Sequence, residues 1–272
     1  MTTITAPDGS RTHLVADSVT MLRRTLLRMI RYPGLTIFVI AGPVVFLLLF
    51  VFVLGGTLGA GLPGVDPDAG RADYLEYVIP GILALTIAGM AGGAATTVAM
   101  DMREGFTARL RTMAISRAAV LTGPVLGNII QALLAVIVVL GVGLAVGFRP
   151  SASVTDWLAA AGIVSLFSFG IAWIAVAMGM QAKSIETASN LPTMLMLLPF
   201  LGSGFVPTES LPGWMQGFAE YQPFTPLVET LRGLMIGTPL GSEAWLAIAW
   251  SAALAIGGYA WARTQYERSS LR

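Results

Sequence analysis

Long runs of apolar residues, separated by short polar stretches, dominate the pattern along this chain. Each run holds roughly the 17–25 residues that an α-helix needs to cross a bilayer. The runs lack the alternation of barrel strands, and an isolated span satisfies its own backbone groups only as a helix. The pattern predicts an all-α polytopic membrane protein with six transmembrane helices, near Leu35–Leu54, Val78–Met100, Val125–Phe148, Trp157–Met180, Asn190–Val206 and Ala244–Trp261.

Composition agrees with this prediction. Of 272 residues, 55% are hydrophobic and 11% are charged, whereas a soluble domain averages about 25% charged residues. We therefore expect a single transmembrane domain over residues 1–272, with no cleavable signal peptide. The absence of cysteine excludes disulfides, thiolate metal sites and cysteine nucleophiles.

The basic residues predict the orientation. Of the 16 Lys and Arg residues, only Arg71, Arg149 and Arg232 fall on one side of the predicted membrane. The positive-inside rule makes the other side cytoplasmic, so both termini are predicted to lie inside, as an even number of spans requires. The asymmetry explains the basic residues without any nucleic-acid partner.

The first cytoplasmic segment, residues 1–33, has an amphipathic pattern. Its apolar residues recur at helical spacing, and Asp17, Arg24, Arg28 and Arg31 fall on the opposite face. This predicts an interfacial helix with its apolar face in the lipid and its arginines toward the headgroups. Two alternatives stay open: the arginines only set the topology, or they also contact a partner. The apolar residues are Val15, Val19, Leu22, Leu26, Met29 and Ile30.

The last external segment, residues 207–243, combines five prolines with many large apolar side chains. A solvated loop does not need so many apolar groups. Short re-entrant or interfacial helices, broken by prolines, would bury them. An ordinary loop is the alternative.

A charged cytoplasmic segment, residues 101–117, lies between the second and third spans. Phe106, Leu110 and Met113 recur as an apolar stripe, and Arg103, Glu104, Arg109 and Arg111 surround it. A short helix with this pattern can dock its stripe in a groove of a soluble partner and fix its register with ion pairs. The alternative is a solvated loop whose arginines only enforce orientation.

Groups for chemistry are scarce. The sequence contains no nucleotide-binding Gly-x-x-x-x-Gly-Lys-Ser/Thr loop. Its only histidine, His13, lies far from Ser203, and the spans carry almost no ionisable residue for a proton relay. We therefore expect no catalytic residue, no metal site and no enzyme activity. A transporter built this way must take its energy from another subunit.

Two stretches carry a family resemblance. One runs from Arg103-Glu-Gly-Phe106 to Leu110-Arg-Thr-Met-Ala-Ile-Ser-Arg117. The other joins Asn190-Leu-Pro192, Phe205-Val-Pro207, Leu211-Pro-Gly-Trp214, Pro223-Phe-Thr-Pro226 and Glu229-Thr-Leu-Arg232. With them the chain resembles the membrane subunit of type-2 ABC exporters, in the branch of daunorubicin/doxorubicin resistance permeases. It departs from the family pattern at Ala114, where a proline is common.

The resemblance implies a permease dimer, of identical or related chains, that binds two copies of a separate ATPase subunit holding ATP and Mg. It places a coupling helix at Arg103, Glu104, Gly105, Phe106, Arg109, Leu110, Met113 and Ser116. It also implies a substrate path at the permease–permease interface, here pointing to Phe46, Phe50, Asn190, Thr193, Met194, Met196 and Phe200. Flexible methionines and aromatic faces suit amphipathic cargo.

The expected function is the permease of an ATP-driven exporter in the bacterial inner membrane, for a hydrophobic or amphipathic drug, natural product or lipid. Export of a lipid-linked polysaccharide is the first alternative, although no organised aromatic ladder is visible for stacking on sugars. A non-transporting membrane anchor or regulator of an ATPase is the second.

Overall fold

The computed structural model describes residues 12–31, 33–59, 70–104 and 117–268. Over these residues the chain is almost entirely helical and contains no strand, which confirms the all-α prediction. The helices are α1 Thr12–Arg31, α2 Pro33–Leu49, α3 Gly55–Gly59, α4 Gly70–Arg103, α5 Arg117–Val146, α6 Val154–Gln181, α7 Ile185–Asn190, α8 Thr193–Leu197, α9 Gly213–Tyr221, α10 Phe224–Ile236 and α11 Glu243–Arg268.

Five helices of the described part are long and apolar enough to cross a membrane. They cover Val39–Gly59, Arg71–Arg103, Thr122–Val146, Val154–Gln181 and Glu243–Glu267. The first of these joins α2 and α3 through a π-helix at Phe50–Leu54. Five of the six predicted spans are therefore present as long helical segments, as a polytopic membrane protein requires.

The predicted fifth span, Asn190–Val206, is not one continuous helix. It is divided between the end of α7, then α8, then a 3-10 helix at Leu198–Leu201, and Gly202 is extended. Pro192 and Pro199 supply no amide donor to a continuous α-helix. The prediction of a single helix here is wrong because apolar content alone was counted. We call residues 185–206 the fifth segment.

Two helices form the centre of the bundle. In the most apolar stretch of α4, 83% of the residues are buried, and in α6 67%, against 22% in the first and last spans. Glycine allows close approach between the two: a Cβ on Gly179 of α6 would lie 2.4 Å from the carbonyl oxygen of Ala95 in α4. The remaining helices pack around this pair.

Helix α1 confirms the predicted amphipathic helix, but its inner face is occupied by protein. A Cβ on Gly123 or Gly127 of α5 would lie within 2.5 Å of the Met21 or Thr25 side chain, so α1 lies directly on α5. Arg24 also faces the protein and pairs with Asp101. The prediction that this arginine points to lipid headgroups is therefore wrong.

The segment 207–243 contains the short helices that its prolines and apolar residues predicted. Helix α9 lies in its first half, and α10 is almost fully buried against α4, α6 and α11. Helix α10 ends at Ile236 and is followed by Gly237, whose left-handed backbone (φ 81°) suits glycine. The depth of these helices in a membrane stays a prediction.

The long helices define two ends of the bundle. The C-termini of α4, α6 and α11 and the start of α5 lie at one end, which we call the Arg103 end. The connection 147–153 and the segment 207–243 lie at the other, which we call the Arg149 end; the amide of Ser151 donates there to the carbonyl of Met235, 3.0 Å away.

Candidate functional site

The Arg103 end is where α4 leaves the bundle. Helix α4 ends at Arg103, and the amide of Glu104 still donates to the carbonyl of Met100 at 2.9 Å. The Arg103 guanidinium donates to the carbonyl of Lys183, in the turn between α6 and α7. Both side chains, Arg103 and Glu104, are exposed. Two predicted coupling residues therefore lie at the surface, at a junction of α4 with the fifth segment.

The other predicted coupling residues lie in 105–116, outside the described residues: Gly105, Phe106, Arg109, Leu110, Met113 and Ser116. Their role stays a prediction. The structure does place both flanks, since α4 ends at Arg103 and α5 begins at Arg117 at the same end of the bundle.

An ion pair connects α1 to the end of α4. Both terminal nitrogens of Arg24 donate to the Asp101 carboxylate, at 2.8 and 2.9 Å. The side chains are 35% and 10% exposed, and a two-point contact of this kind fixes orientation as well as distance. The contact lies two residues before Arg103. Sequence reasoning missed it, although an acid at the end of an apolar span was a usable signal.

A second charged group lies close to Arg103. The carboxylate of Glu186, at the start of α7, has its pKa lowered by a hydrogen bond with Ser184 and, to a smaller extent, by the positive charge of Arg103. The helix start that follows is capped by Ser184, which accepts from the amide of Thr187 at 3.0 Å. Opposite charges therefore meet where α4 and the fifth segment adjoin.

Four phenylalanines form a cluster between the first span and the fifth segment, which we call the aromatic cluster. The ring centroids of Phe46 and Phe50 are 6.1 and 6.4 Å from that of Phe200. Phe205 lies closer, 4.5 Å from Phe200 and 4.7 Å from Phe50. The cluster contains three of the predicted path residues and adds Phe205, which the prediction omitted.

The remaining predicted path residues are spread along α7 and α8. Asn190, Thr193 and Met194 are exposed, Met194 at 68%. Met196 is half-buried and packs on the main core. The prediction therefore covers one outward surface of the fifth segment and one cluster of rings beside it.

The break after the 3-10 helix leaves backbone carbonyls without helical partners, and side chains from other helices bind them. The Tyr74 hydroxyl donates to Phe205 O at 3.3 Å, and the Tyr77 hydroxyl donates to Ser203 O at 3.0 Å. Arg232 Nη2 also donates to Ser203 O, at 2.8 Å. Irregular backbone inside a membrane protein requires such partners. We call Tyr74, Tyr77 and Arg232 the carbonyl clamp.

Arg232 is the most connected residue of the carbonyl clamp. Its Nη2 donates to a second carbonyl, that of Tyr77, at 3.1 Å, and its Nη1 donates to the Glu229 carboxylate. Its Cζ lies 3.9 Å from the centroid of the Tyr77 ring, within cation–π range. From the sequence, Arg232 was assigned to the external side and to a motif of the family resemblance, without any internal partner. Its place in an apolar segment was the signal that it has internal partners.

The aromatic cluster, the carbonyl clamp and the charged residues of the Arg103 end have chemistry that suits binding a molecule and moving helices, rather than a reaction. The aromatic cluster offers apolar faces next to a break in a helix, and the carbonyl clamp holds that break against α4. At the other end of α4, exposed charges surround the flanks of a segment predicted to contact a partner.

These features define a multi-pass α-helical membrane protein with a broken helix beside its central helix. The chain belongs to the ABC-2 type transporter family, whose sequence profile matches residues 18–236. It is 28% identical over 231 residues to the daunorubicin resistance ABC transporter permease protein DrrB1 of Streptomyces coeruleorubidus, covering 84% of this chain and 78% of that protein.

A second relative agrees. The probable doxorubicin resistance ABC transporter permease protein DrrC of Mycobacterium tuberculosis (strain ATCC 25618 / H37Rv) is 29% identical over 221 residues, covering 80% of this chain and 77% of the relative. Members of the family are the membrane permeases of ABC transporters, whose ATPase is a separate subunit. The resemblance inferred from the two sequence stretches is confirmed.

Proposed function

We propose that this chain is the permease subunit of an ATP-driven exporter that moves a hydrophobic or amphipathic drug, natural product or lipid out of the cell. The aromatic cluster is the observation that carries the proposal. Four rings meet between the first span and a broken helix, and aromatic faces bind flat apolar molecules of varied shape. Relatives named for daunorubicin and doxorubicin resistance support this cargo class.

The substrate path is proposed to lie between two permeases, identical or related. Large apolar side chains of the first span and the fifth segment are exposed on the described protein, which favours a protein or lipid partner there. They are Val45, Leu49, Phe52, Val53, Met194, Leu197 and Leu201. Phe46, Phe50 and Phe200 would line the path beside this surface.

Energy is proposed to enter at the Arg103 end. The coupling helix, Arg103–Ser116, would sit in a cleft of an ABC ATPase subunit, and two such subunits would hold ATP and Mg. The exposed Arg103 and Glu104 at its first flank support a polar contact there. ATP-driven closure of the ATPase pair would move the permeases between inward-facing and outward-facing arrangements.

The orientation follows from the same assignment. We place the protein in the bacterial inner membrane with both termini and the Arg103 end in the cytoplasm. The excess of basic residues at that end supports this placement.

A charge placed in the apolar stripe tests the coupling assignment. We expect Leu110→Asp to reduce ATP hydrolysis by the co-reconstituted complex to that of the ATPase alone, because a carboxylate cannot enter an apolar groove. Membrane insertion should be unchanged. The measurement is phosphate release in vesicles, together with ATP-dependent flux of doxorubicin as the probe cargo.

Val154→Asp is the matched control, since Val154 is exposed at the first turn of α6, at the opposite end of the bundle. It should hydrolyse ATP like the unaltered protein. Normal stimulation in Leu110→Asp would contradict the coupling assignment. Doxorubicin flux in vesicles without any ATPase would contradict the proposed function as a whole.

A further inference from the structure

We propose that Tyr77 and Arg232 are positioning residues that make the broken fifth segment move together with α4, so that motion at the Arg103 end reaches the aromatic cluster. The inference rests on the proposed function, because it assigns a route to the motion that an ATPase would supply. Three observations carry it: the continuity of α4, its attachments at both ends, and the place of Phe205.

Helix α4 is a single helix of 34 residues. At 1.5 Å per residue it is about 50 Å long, enough to extend from one end of the bundle to the other. It is also the most buried of the five candidate spans. Closely packed side chains surround such a helix and leave it no free space in which to bend. A displacement of one end is therefore passed on to the other end.

A proline inside α4 affects how the helix can move. Pro80 lies inside the helix and removes an amide donor, so it is a place where the helix can bend. The fifth segment is attached on both sides of it. Tyr74 and Tyr77 bind the segment before the proline, and Gly81 touches it after the proline. A bend at Pro80 therefore cannot separate the segment from the rest of α4.

The attachment after the proline is a contact of two backbones. A Cβ on Gly81 would lie 2.1 Å from the carbonyl oxygen of Gly204, so no side chain fits between α4 and the turn. Two backbones that meet with no side chain between them transmit a push directly. The hydrogen bonds of the carbonyl clamp resist the opposite motion, in which α4 withdraws from the turn.

Arg232 joins three elements with one planar group. It binds Ser203 O of the fifth segment and Tyr77 O of α4, and its own helix α10 supplies its partner Glu229. A lysine has the same charge but a single nitrogen, so it cannot reproduce this fork or the stacking on Tyr77. The geometry, rather than the charge alone, holds the three elements together.

The clamped residues lie next to the aromatic cluster. Ser203, which Tyr77 and Arg232 bind, is two residues before Phe205, and Tyr74 binds the carbonyl of Phe205 itself. The Phe205 ring lies 4.5 Å from Phe200 and 4.7 Å from Phe50. Movement of α4 along its axis would therefore displace one ring of the cluster relative to the first span.

At the other end, α4 carries Asp101 and Arg103. These residues contact α1 and the turn before α7, and Arg103 is the first residue of the segment proposed to bind the ATPase. The two ends of α4 thus hold the proposed site of energy input and the proposed site of cargo contact.

Two substitutions test the role of the clamp. Tyr77→Phe keeps the ring under Arg232 and removes only the hydroxyl that binds Ser203 O. Arg232→Lys keeps the charge and removes the fork. We expect doxorubicin transported per ATP hydrolysed to fall by about 2- to 30-fold in each, the range for residues that couple distant sites. Basal ATP hydrolysis and assembly with the ATPase should stay unchanged.

Thr86→Val is the matched control. Thr86 is a buried residue of α4 whose hydroxyl binds only Ile82 O within the same helix, at 2.7 Å. The substitution removes a buried hydroxyl of α4 that makes no hydrogen bond to the fifth segment, so it should leave transport per ATP within about twofold of the unaltered protein.

The outcomes separate the two proposals. If the unaltered complex transports doxorubicin and both clamp variants match it, the positioning role is overturned and the proposed function stands. If the variants lose assembly and basal hydrolysis in parallel with transport, the clamp only maintains the fold and the positioning role is again overturned. If the unaltered complex shows no ATP-dependent flux, the proposed function fails and the positioning role fails with it.

Discussion

The two ends of the bundle differ in how deeply their best-connected arginine is buried. At the Arg103 end, Arg24 and Asp101 pair side chain to side chain, and about a third of the arginine stays exposed. At the Arg149 end, Arg232 is largely buried and binds backbone carbonyls of two elements. Partly exposed ion pairs stabilise little and weaken with salt, whereas buried carbonyls that lose a charged donor are costly. The Arg103 end therefore suits contacts that form and break, and the Arg149 end suits contacts that keep one geometry.

The largest expected effect comes from removing the buried arginine. Arg232→Met leaves the carbonyl of Ser203 with one donor fewer and separates Glu229 from its partner. We expect the free energy of unfolding in mixed micelles to fall by about 3 kcal/mol, because the carbonyls of Ser203 and Tyr77 both lose a charged donor in a largely buried place. The measurement is denaturation followed by circular dichroism.

Arg149→Met is the control at the same end, because Arg149 is exposed and donates only to the nearby carbonyls of Phe148 and Leu144, at 3.2 and 3.3 Å. We expect a loss of about 0.5 kcal/mol or less for this surface residue. Equal losses in the two variants would remove the distinction between a buried clamp and a surface arginine.

An intermediate effect is expected from the glycine contact. Gly81→Ala places a Cβ against the backbone of Gly204, so α4 and the turn must move apart. Overpacking of this kind costs about 1–3 kcal/mol. Thermal unfolding in detergent should show a lower midpoint.

Gly89→Ala tests the same change in the same helix without the contact, since a Cβ at Gly89 meets nothing within 4 Å. Its effect should be neutral or stabilising by up to about 1 kcal/mol, because alanine favours helix more than glycine does. The two alanines should therefore change stability in opposite directions, and a loss of similar size at Gly89 would contradict the contact.

The smallest effect is expected at the Arg103 end. Asp101→Asn weakens the ion pair with Arg24, and we expect a loss of about 1 kcal/mol at low salt. The loss should shrink at high salt, because the pair is partly exposed. Stability measured against salt concentration checks this. If Asp101→Asn lost much stability at every salt concentration, the Arg24–Asp101 pair would behave like the Arg232 contacts, and the difference between the two ends would be contradicted.

Much of the fold was predictable from the sequence because each element is determined by its own residues. The long helices follow from uninterrupted apolar runs, and α1 follows from its amphipathic spacing. The helices of segment 207–243 follow from apolar residues that a solvated loop would not contain. The break in the fifth segment was missed because apolar content outweighed two prolines and two glycines within 190–206.

The candidate site was predictable only in part. Phe46, Phe50 and Phe200 were selected through a family resemblance, and the structure brings their rings together. The carbonyl clamp was not foreseen because the bonds between α4 and the other two elements join residues 126 to 155 apart in the chain, and Arg232 is 29 residues from Ser203. No local pattern encodes such pairs; only the packing of α10 against α4 creates them.

The close fit of α1 on α5 has a consequence for biogenesis. The inner face of α1, with Met21 and Thr25, rests on Gly123 and Gly127, which the ribosome adds about a hundred residues later. Helix α1 therefore reaches its final position only after α5, the third long apolar helix of the described residues, has been inserted. Until then its amphipathic character suits a position at the bilayer surface, with the apolar residues toward the lipid and the polar residues toward water.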